Sequence, residues 1–445
     1  MKYLFYIALS LCFSTHVLAQ NLSSAQAKAD LDFLLETLEN THNNPYLHIK
    51  KVDFEAASTE VYDHIDQTDS LSVIQLAQLC MPLIAKLGDA HSHMSWYSGA
   101  LNDQLKDARL FGIGIRWSPE GNLKIEDTNL QQNGQKLLKI NGYDAHDLFK
   151  EAMRYEAGLP AFATYYTEKL LFPIFLNLKN IRAPWIIETD RGSFTYNDSI
   201  PLSTLSKRFT PSSKPYTFSI LEGAIGYLSY NRCEDYDAFN LFLKRTFNTL
   251  EEEQIDKLII DISDNLGGDS SLNDLLLSYI TRKKYRQSSG RSWKVSRRMK
   301  ELIQAPLYIN AFGKSFINQY LKAENGSYLN EDEYKARKPK KRKLFFEGKT
   351  AFIIGPKTFS SANFLADAIK TYQLSTLIGE PTGELTNDFG EQITLEMPNS
   401  KLKFTCSIAF DIGADGNPEK NEVVEPDILI TENVLDFVKK WIREK

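Results

Sequence analysis

The stretch TAFIIGPKTFSSANFLADAIK, Thr350 to Lys370, sets an apolar run just ahead of two serines and a helical pattern. TAFIIG has the composition of a buried strand, and Ser361 to Tyr372 has the spacing of an amphipathic helix. A serine at such a junction has two readings. It is a helix cap, worth about 1 kcal/mol, or a nucleophile held at the positive end of the helix dipole. Working outward, AIGYLSY (224–230), KLIIDIS (257–263) and STLIGE (375–380) read as further buried strands. Asp235 to Glu253 and Ser271 to Ile280 read as helices between them. Buried strands separated by helices of this length predict a parallel α/β layer, whose ligands gather where strands end and helices begin.

The chain before this layer has a different pattern. Residues 22–98 read as helical, with apolar spacings of three and four over Ala25 to Leu38 and Leu71 to Leu87. Asp69 or Ser70 is the expected cap of the second helix, and Gly88 its stop. DAHSHMSW (89–96) then alternates like a strand. Leu110 to Leu202 carries short strand signals in FGIGIRW, NLKIED and KLLKING, with a helix over Asp147 to Tyr155. Strands plus one helix over this length suggest a small binding module. KARKPKKRK, Lys335 to Lys343, is a dense basic run. It reads as a solvated loop, or as a patch that attracts acidic peptides or an anionic surface.

Composition narrows the function classes. The chain has 445 residues, 42% of them apolar, and a formal net charge of -5, so no global field suits nucleic acid. No membrane-length apolar run follows the first twenty residues. Those twenty, MKYLFYIALSLCFSTHVLAQ, have Lys2, an apolar stretch and a small-residue exit, the layout of a secretory signal cleaved after Ala19. Cys12 sits inside the apolar stretch, a poor match to a lipid-attachment site. The expectation is an exported protein, periplasmic or secreted, without stable membrane insertion. Removing the signal leaves Cys80, Cys233 and Cys406, which form neither a disulfide framework nor a metal-site spacing. His91 and His93 lack a third ligand, so neither metal nor cofactor is expected.

Three stretches carry groups suited to chemistry. In LIIDISDNLGGDSS (258–271), Gly267 and Gly268 follow a buried strand, which lets backbone N–H groups face an anion; the plain alternative is a tight turn. In TFSSAN (358–363), a serine opens a helix. In LGDAHSHM (87–94), a neutral imidazole from His91 or His93 is able to take a serine proton near neutral pH; the alternative is a histidine satisfied within a helix–strand corner.

The ordered set LGDAHS, AIGYLSY, LIIDISDNLGG, TFSSANFLADAIK, LIGEPTG and VVEPDI resembles the tail-specific, or C-terminal processing, serine proteases, including the tricorn core. KLLKING is similar to the core of a PDZ-like module. The resemblance implies an α/β chain with a crotonase/ClpP-like spiral catalytic domain. Its implied organisation is a signal peptide (1–19), an N-terminal helical domain contributing the histidine loop (20–104), a PDZ-like β-rich module (105–212) and the catalytic domain (213–445). It implies Ser360 as nucleophile, with Ser361 and either Gly267 or Gly268 as oxyanion donors. Many members place a lysine where Leu385 stands, so a Ser–Lys dyad does not fit. The tricorn branch uses a histidine, which matches His91. The branch's serine before that histidine is Ala90, and its orienting acid falls among Glu419, Glu422 and Glu425. Relatives often carry Arg at Ser263 and Pro or Gly at Leu266.

The resemblance thus implies an exported serine-type peptidase acting on extended or C-terminal tails of polypeptides, its substrates being its partners. A catalytically silent peptide-binding protein on the same fold is the alternative. A thioester-processing acyl enzyme ranks last, because an export signal separates it from acyl-CoA pools. The sequence leaves oligomeric state open.

Overall fold

The last four residues of the strand Lys349–Ile354 are buried, because the strand lies in the middle of a six-stranded sheet. The computed structural model describes residues 21–118, 120–209, 214–331 and 334–444; the expected signal, residues 1–19, lies outside them. The sheet runs Tyr216–Leu221, Ile225–Tyr230, Lys257–Asp261, Lys349–Ile354, Thr376–Gly379, Ile428–Leu429. Its first pair is antiparallel and the other pairings are parallel. Alternation sorts the central side chains. Leu258, Ile260, Phe352 and Ile354 face the helices Tyr236–Glu252, Ser271–Ile280 and Ser361–Tyr372. Ile259, Ala351 and Ile353 face the helix Val434–Glu444 through Val438 and Ile442. The fold is mixed α/β; the expected strands and helices lie within a residue or two of their positions, whereas the edge strands Tyr216–Leu221 and Ile428–Leu429 and the helix Val434–Glu444 were not anticipated.

A second sheet was not anticipated. Tyr328–Glu331, Gly290–Lys294, Lys403–Ile412 and Asp388–Glu396 pair antiparallel in that order. It joins the N-terminal helices in one core, where Leu31, Leu34 and Leu76 share a cluster with Phe404, Cys406 and Ile408. The buried Asp30 carboxylate fixes the same join, accepting from the N–H groups of Asn399 (2.8 Å) and Ser400 (2.7 Å).

The N-terminal helices are Ser24–Thr41, Lys51–Asp66 and Val73–Ala85. The cap of the third is Ser72, not Asp69 or Ser70. Ser70–Ser72 is drawn into a short strand pairing with Asn21–Ser23, and Ser72 makes a capping box with Gln75. Residues 110–209 hold an antiparallel sheet of Tyr143–Asp144, Leu137–Ile140, Trp185–Thr189 and Gly192–Tyr196 around Phe111, Phe149, Phe172 and Trp185. This segment is more helical than expected. Besides Ala145–Met153 it carries Pro160–Tyr166, Phe172–Leu178 and Leu202–Phe209. Cys80, Cys233 and Cys406 are free and buried. Among the described residues no helix is long and apolar enough to cross a membrane.

Candidate active site

Ser360 stands at the cap position of its helix, yet its side chain makes no capping hydrogen bond. Its backbone has φ +52° and ψ -125°, a region that L-residues avoid. The turn is pinned from below. Thr358 Oγ1 donates to the Ile262 carbonyl and accepts from the Gly355 N–H, both at 3.0 Å, and the Phe359 N–H donates to the Asn265 carbonyl at 3.0 Å. The cap reading of Ser360 does not fit these contacts. The Ser361 hydroxyl is buried and donates to the Gly268 carbonyl at 2.5 Å. Ser360 is half-buried and lines a cavity of about 640 Å³.

The paired glycines lie against this turn. A Cβ on Gly267 (φ +96°) would sit 2.7 Å from Ser360 Cβ and 2.8 Å from Ser361 N. A Cβ on Gly268 (φ +128°) would sit 2.2 Å from the Cys233 carbonyl oxygen. Only glycine meets both demands. The two N–H groups differ in their commitments. That of Gly267 donates to Asn265 Oδ1 at 2.8 Å and is spent. Those of Gly268 and Ser361 have no acceptor among the described residues. Of the two glycines expected as alternative oxyanion donors, Gly268 has the free N–H.

His91 reaches this cavity from a segment remote in sequence. Residues 89–96 lie beside the strand Lys403–Ile412: Met94 bridges Phe404, and Thr405 Oγ1 donates to the His91 carbonyl (2.7 Å) and accepts from the His93 N–H (3.0 Å). The His91 ring packs on Phe359, centroids 4.7 Å apart, directly before Ser360. Burial pulls His91 below the ordinary histidine range, against the opposing pull of Asp89 and Glu391. The imidazole is therefore neutral at pH 7, the form a base requires. His93 lines the same cavity, but its ring nitrogens lie 3.3 Å from the Ala90 carbonyl and 3.3 Å from the Tyr97 hydroxyl.

The acid is where expectation and structure part. Glu419, Glu422 and Glu425 are exposed, and none lines the cavity. Glu422 contributes only its carbonyl, to the Thr386 N–H. Two buried carboxylates stand by His91 instead. Glu384 Oε1 lies 3.4 Å from His91 Nδ1 while its Oε2 accepts the Ser360 N–H at 2.5 Å. Asp89 Oδ1 lies 3.8 Å from Nδ1 and accepts the His91 N–H at 2.8 Å. Their charge states differ. Burial, then the neighbouring Asp388, pushes Glu384 well above the carboxylate range. Burial alone would raise Asp89 too, but hydrogen bonds from His42 (2.9 Å) and Ser407 (2.6 Å), with the charges of His42 and His91, hold it well below that range. Asp388 is pushed up to about 8, chiefly by burial and next by Asp89.

Glu384 escaped the sequence reading because it precedes Leu385, the position inspected for a lysine. Leu385 is buried and contributes its carbonyl to Asn363 Nδ2 at 2.7 Å. Asn265 stood inside the LIIDISDNLGG motif without a role assigned to it, and Thr405 carried no motif signal, because each acts through hydrogen bonds to residues distant in sequence.

Residues 224–430 match the family model for peptidase family S41. No curated protein matches the chain in sequence. Among solved structures, a CPAF mutant is similar at 13% identity with a TM-score of 0.64, covering 94% of this chain and 96% of that one. Mature CPAF is similar at 15% identity with a TM-score of 0.61, covering 95% of each chain. At these identities the likeness is one of fold. The histidine loop lies outside the residues matched by the family model.

Proposed function

We infer that this chain, which belongs to peptidase family S41 through residues 224–430, is a serine-type peptidase with Ser360 as nucleophile and His91 as general base. The observation that carries the assignment is the uncapped Ser360 in a strained turn, with the free N–H groups of Gly268 and Ser361 beside it. Ser360 Oγ attacks a peptide carbonyl as its proton passes to His91 Nε2. The oxyanion that forms is held by the Gly268 and Ser361 N–H groups, each donor worth about 3 kcal/mol in such sites. The helix Ser361–Tyr372 adds its positive end. His91 then returns the proton to the leaving amine, and water, activated by the same imidazole, releases the acyl-enzyme. Glu384, neutral and facing Nδ1, is the carboxyl best placed to orient the ring, while the charged Asp89, 3.8 Å from the same nitrogen, balances the imidazolium.

The finer reading is an exported peptidase of extended or C-terminal tails. Its support is the signal-like layout of residues 1–19, together with residues 105–212 read as a PDZ-like module. An extended peptide added to the sheet edge Gly192–Tyr196 would be presented by main-chain pairing. The unit boundaries proposed are 20–104, 105–212 and 213–445. Leu385 in place of a lysine favours a second reading, a silent peptide-binding protein. Labelling with a serine-reactive fluorophosphonate decides between them. Stoichiometric labelling of the wild type, abolished in Ser360→Ala and strongly slowed in His91→Ala, is the expected result. No labelling of the wild type would leave the silent reading standing.

A further inference from the structure

The basic run 335–343 does not float free of the molecule. Arg337 pairs with Tyr285 through two backbone hydrogen bonds (2.9 and 3.1 Å), and the Tyr334 N–H donates to the Ser289 carbonyl at 2.8 Å. Arg342 is anchored by its Nε donating to Ser278 Oγ at 2.8 Å, with its guanidinium over the Tyr279 ring. These anchors lay the run along one wall of a groove of about 730 Å³. Lys335, Arg337, Lys338, Lys340 and Arg342 line it, as does Arg286. Arg286 spends its guanidinium on the carbonyls of Ala414, Tyr334 and Asp415. Lys335, Lys338 and Lys340 are exposed and make no ion pair among the described residues. The acids lining the groove are Asp274 and Asp411. Asp274 accepts from the Tyr285 hydroxyl and from Gln287 Nε2. Asp411 is buried on Arg291, which also holds Glu391.

This groove runs into the Ser360 cavity. Ser270, Arg291, Phe364 and Asp411 line both. Ser270 follows the Gly268 turn, and Phe364 lies one helical turn beyond Ser360. A chain leaving Ser360 past the Gly268 and Ser361 N–H groups therefore enters a row of lysines that make no ion pair among the described residues. The Ser360 cavity lacks such a row. Among its described lining residues Arg291 is the one Lys or Arg, and it is paired with Asp411 and Glu391.

We propose that the groove walled by residues 335–342 is a substrate exosite that takes an acidic segment flanking the scissile bond. The proposal rests on the peptidase reading of Ser360 and names the substrate class of that site. Unpaired cations beside a cleft raise the encounter rate with anionic segments, an effect that salt screens. The test uses quenched peptides with one cleavable core and a Glu-rich, a Ser-rich or a Lys-rich flank, placed on either side of it. In the wild type, kcat/KM for the Glu-flanked peptide is expected to exceed that for the Ser-flanked one by about tenfold. At about 0.5 M salt, where the Debye length is about 4 Å, the advantage should vanish. In a Lys335→Gln, Lys338→Gln, Lys340→Gln variant it should also vanish, while fluorophosphonate labelling and cleavage of the Ser-flanked peptide stay at wild-type rates. Equal rates for the two flanks in the wild type, or an advantage that survives in the variant, would overturn the exosite.

Binding separates this idea from the peptidase reading. Anisotropy of the labelled Glu-flanked peptide on Ser360→Ala needs no turnover. If nothing is labelled or cleaved, the peptidase reading fails, and lysine-dependent binding still supports the groove. Absence of that binding sinks the groove. A single-stranded oligonucleotide that displaces the peptide at lower concentration identifies a nucleic-acid site and overturns the proposal.

Discussion

Ser360 holds a backbone conformation that costs of order 1–3 kcal/mol, so its surroundings must over-determine it. Thr358, Asn265 and the Glu384 carboxylate each fix one group of that turn. Glu384 also lies 3.4 Å from His91 Nδ1, so one carboxyl spans the Ser360 backbone and the His91 ring. Glu384→Gln keeps an acceptor for the Ser360 N–H but sets an amide in place of the carboxyl that faces His91 Nδ1, so the ring loses its orienting partner while Asp89 still balances the imidazolium. The expected outcome is a fall in kcat of about a hundredfold, with KM and melting temperature close to wild type. A purely structural role would instead move the melting temperature. The same site sets the pH response. Burial holds His91 below its ordinary value of about 6.5, so the base stays unprotonated to lower pH. The acid limb of kcat/KM should therefore fall below pH 6.5. The sign for stability follows: as pH drops through 6.5 the unfolded histidine takes up a proton that the folded one refuses, and His91 destabilises the fold. A pH–rate profile with its acid limb above 6.5 would contradict the burial argument.

At the scale of elements, the strand Lys403–Ile412 holds His91 at the Ser360 cavity. Its Thr405 hydroxyl ties the His91 carbonyl and the His93 N–H in a buried setting. Thr405→Val preserves shape but leaves both groups unpaired, which costs about 1–3 kcal/mol. Urea unfolding should show that loss, and kcat should fall because the histidine loop is no longer held in place. This element also marks where the sequence stopped being legible. Strands of the parallel layer announce themselves, because TAFIIG and KLIIDIS are continuous apolar runs bounded by turns. Lys403–Ile412 mixes Thr405, Cys406 and Ser407 with Phe404 and Ile408, all buried, since one face meets helices and the other meets polar loops. No periodicity survives such a setting. Ser360 and the paired glycines were singled out at their junctions, where a cap and a tight turn stayed open, and their roles came from the resemblance. Glu384 was not, because its meaning depends on a histidine almost three hundred residues earlier.

Across the whole molecule, the core ignores the boundary between the N-terminal helices and the catalytic layer. Phe404, Cys406, Ile408, Trp293 and Met397 are buried in one cluster with Leu31, Leu34 and Leu76. Removing the N-terminal helices would expose the apolar face of the second sheet. At about 1.5–3 kcal/mol for each large side chain, five such residues amount to of order 10 kcal/mol. That equals the whole stability of an ordinary domain, about 5–15 kcal/mol. Loss of the Asp30 carboxylate would also leave the Asn399 and Ser400 N–H groups without their acceptor. The proposed unit 213–445 thus lacks His91 and is not a folding unit by itself. Expressed alone, it should bind a hydrophobic dye at room temperature and melt without a cooperative transition, whereas residues 20–445 should show a sharp one. A cooperative melt of 213–445 by calorimetry would mean that the second sheet repacks by itself, and that the histidine loop is delivered to a finished catalytic layer rather than built into it.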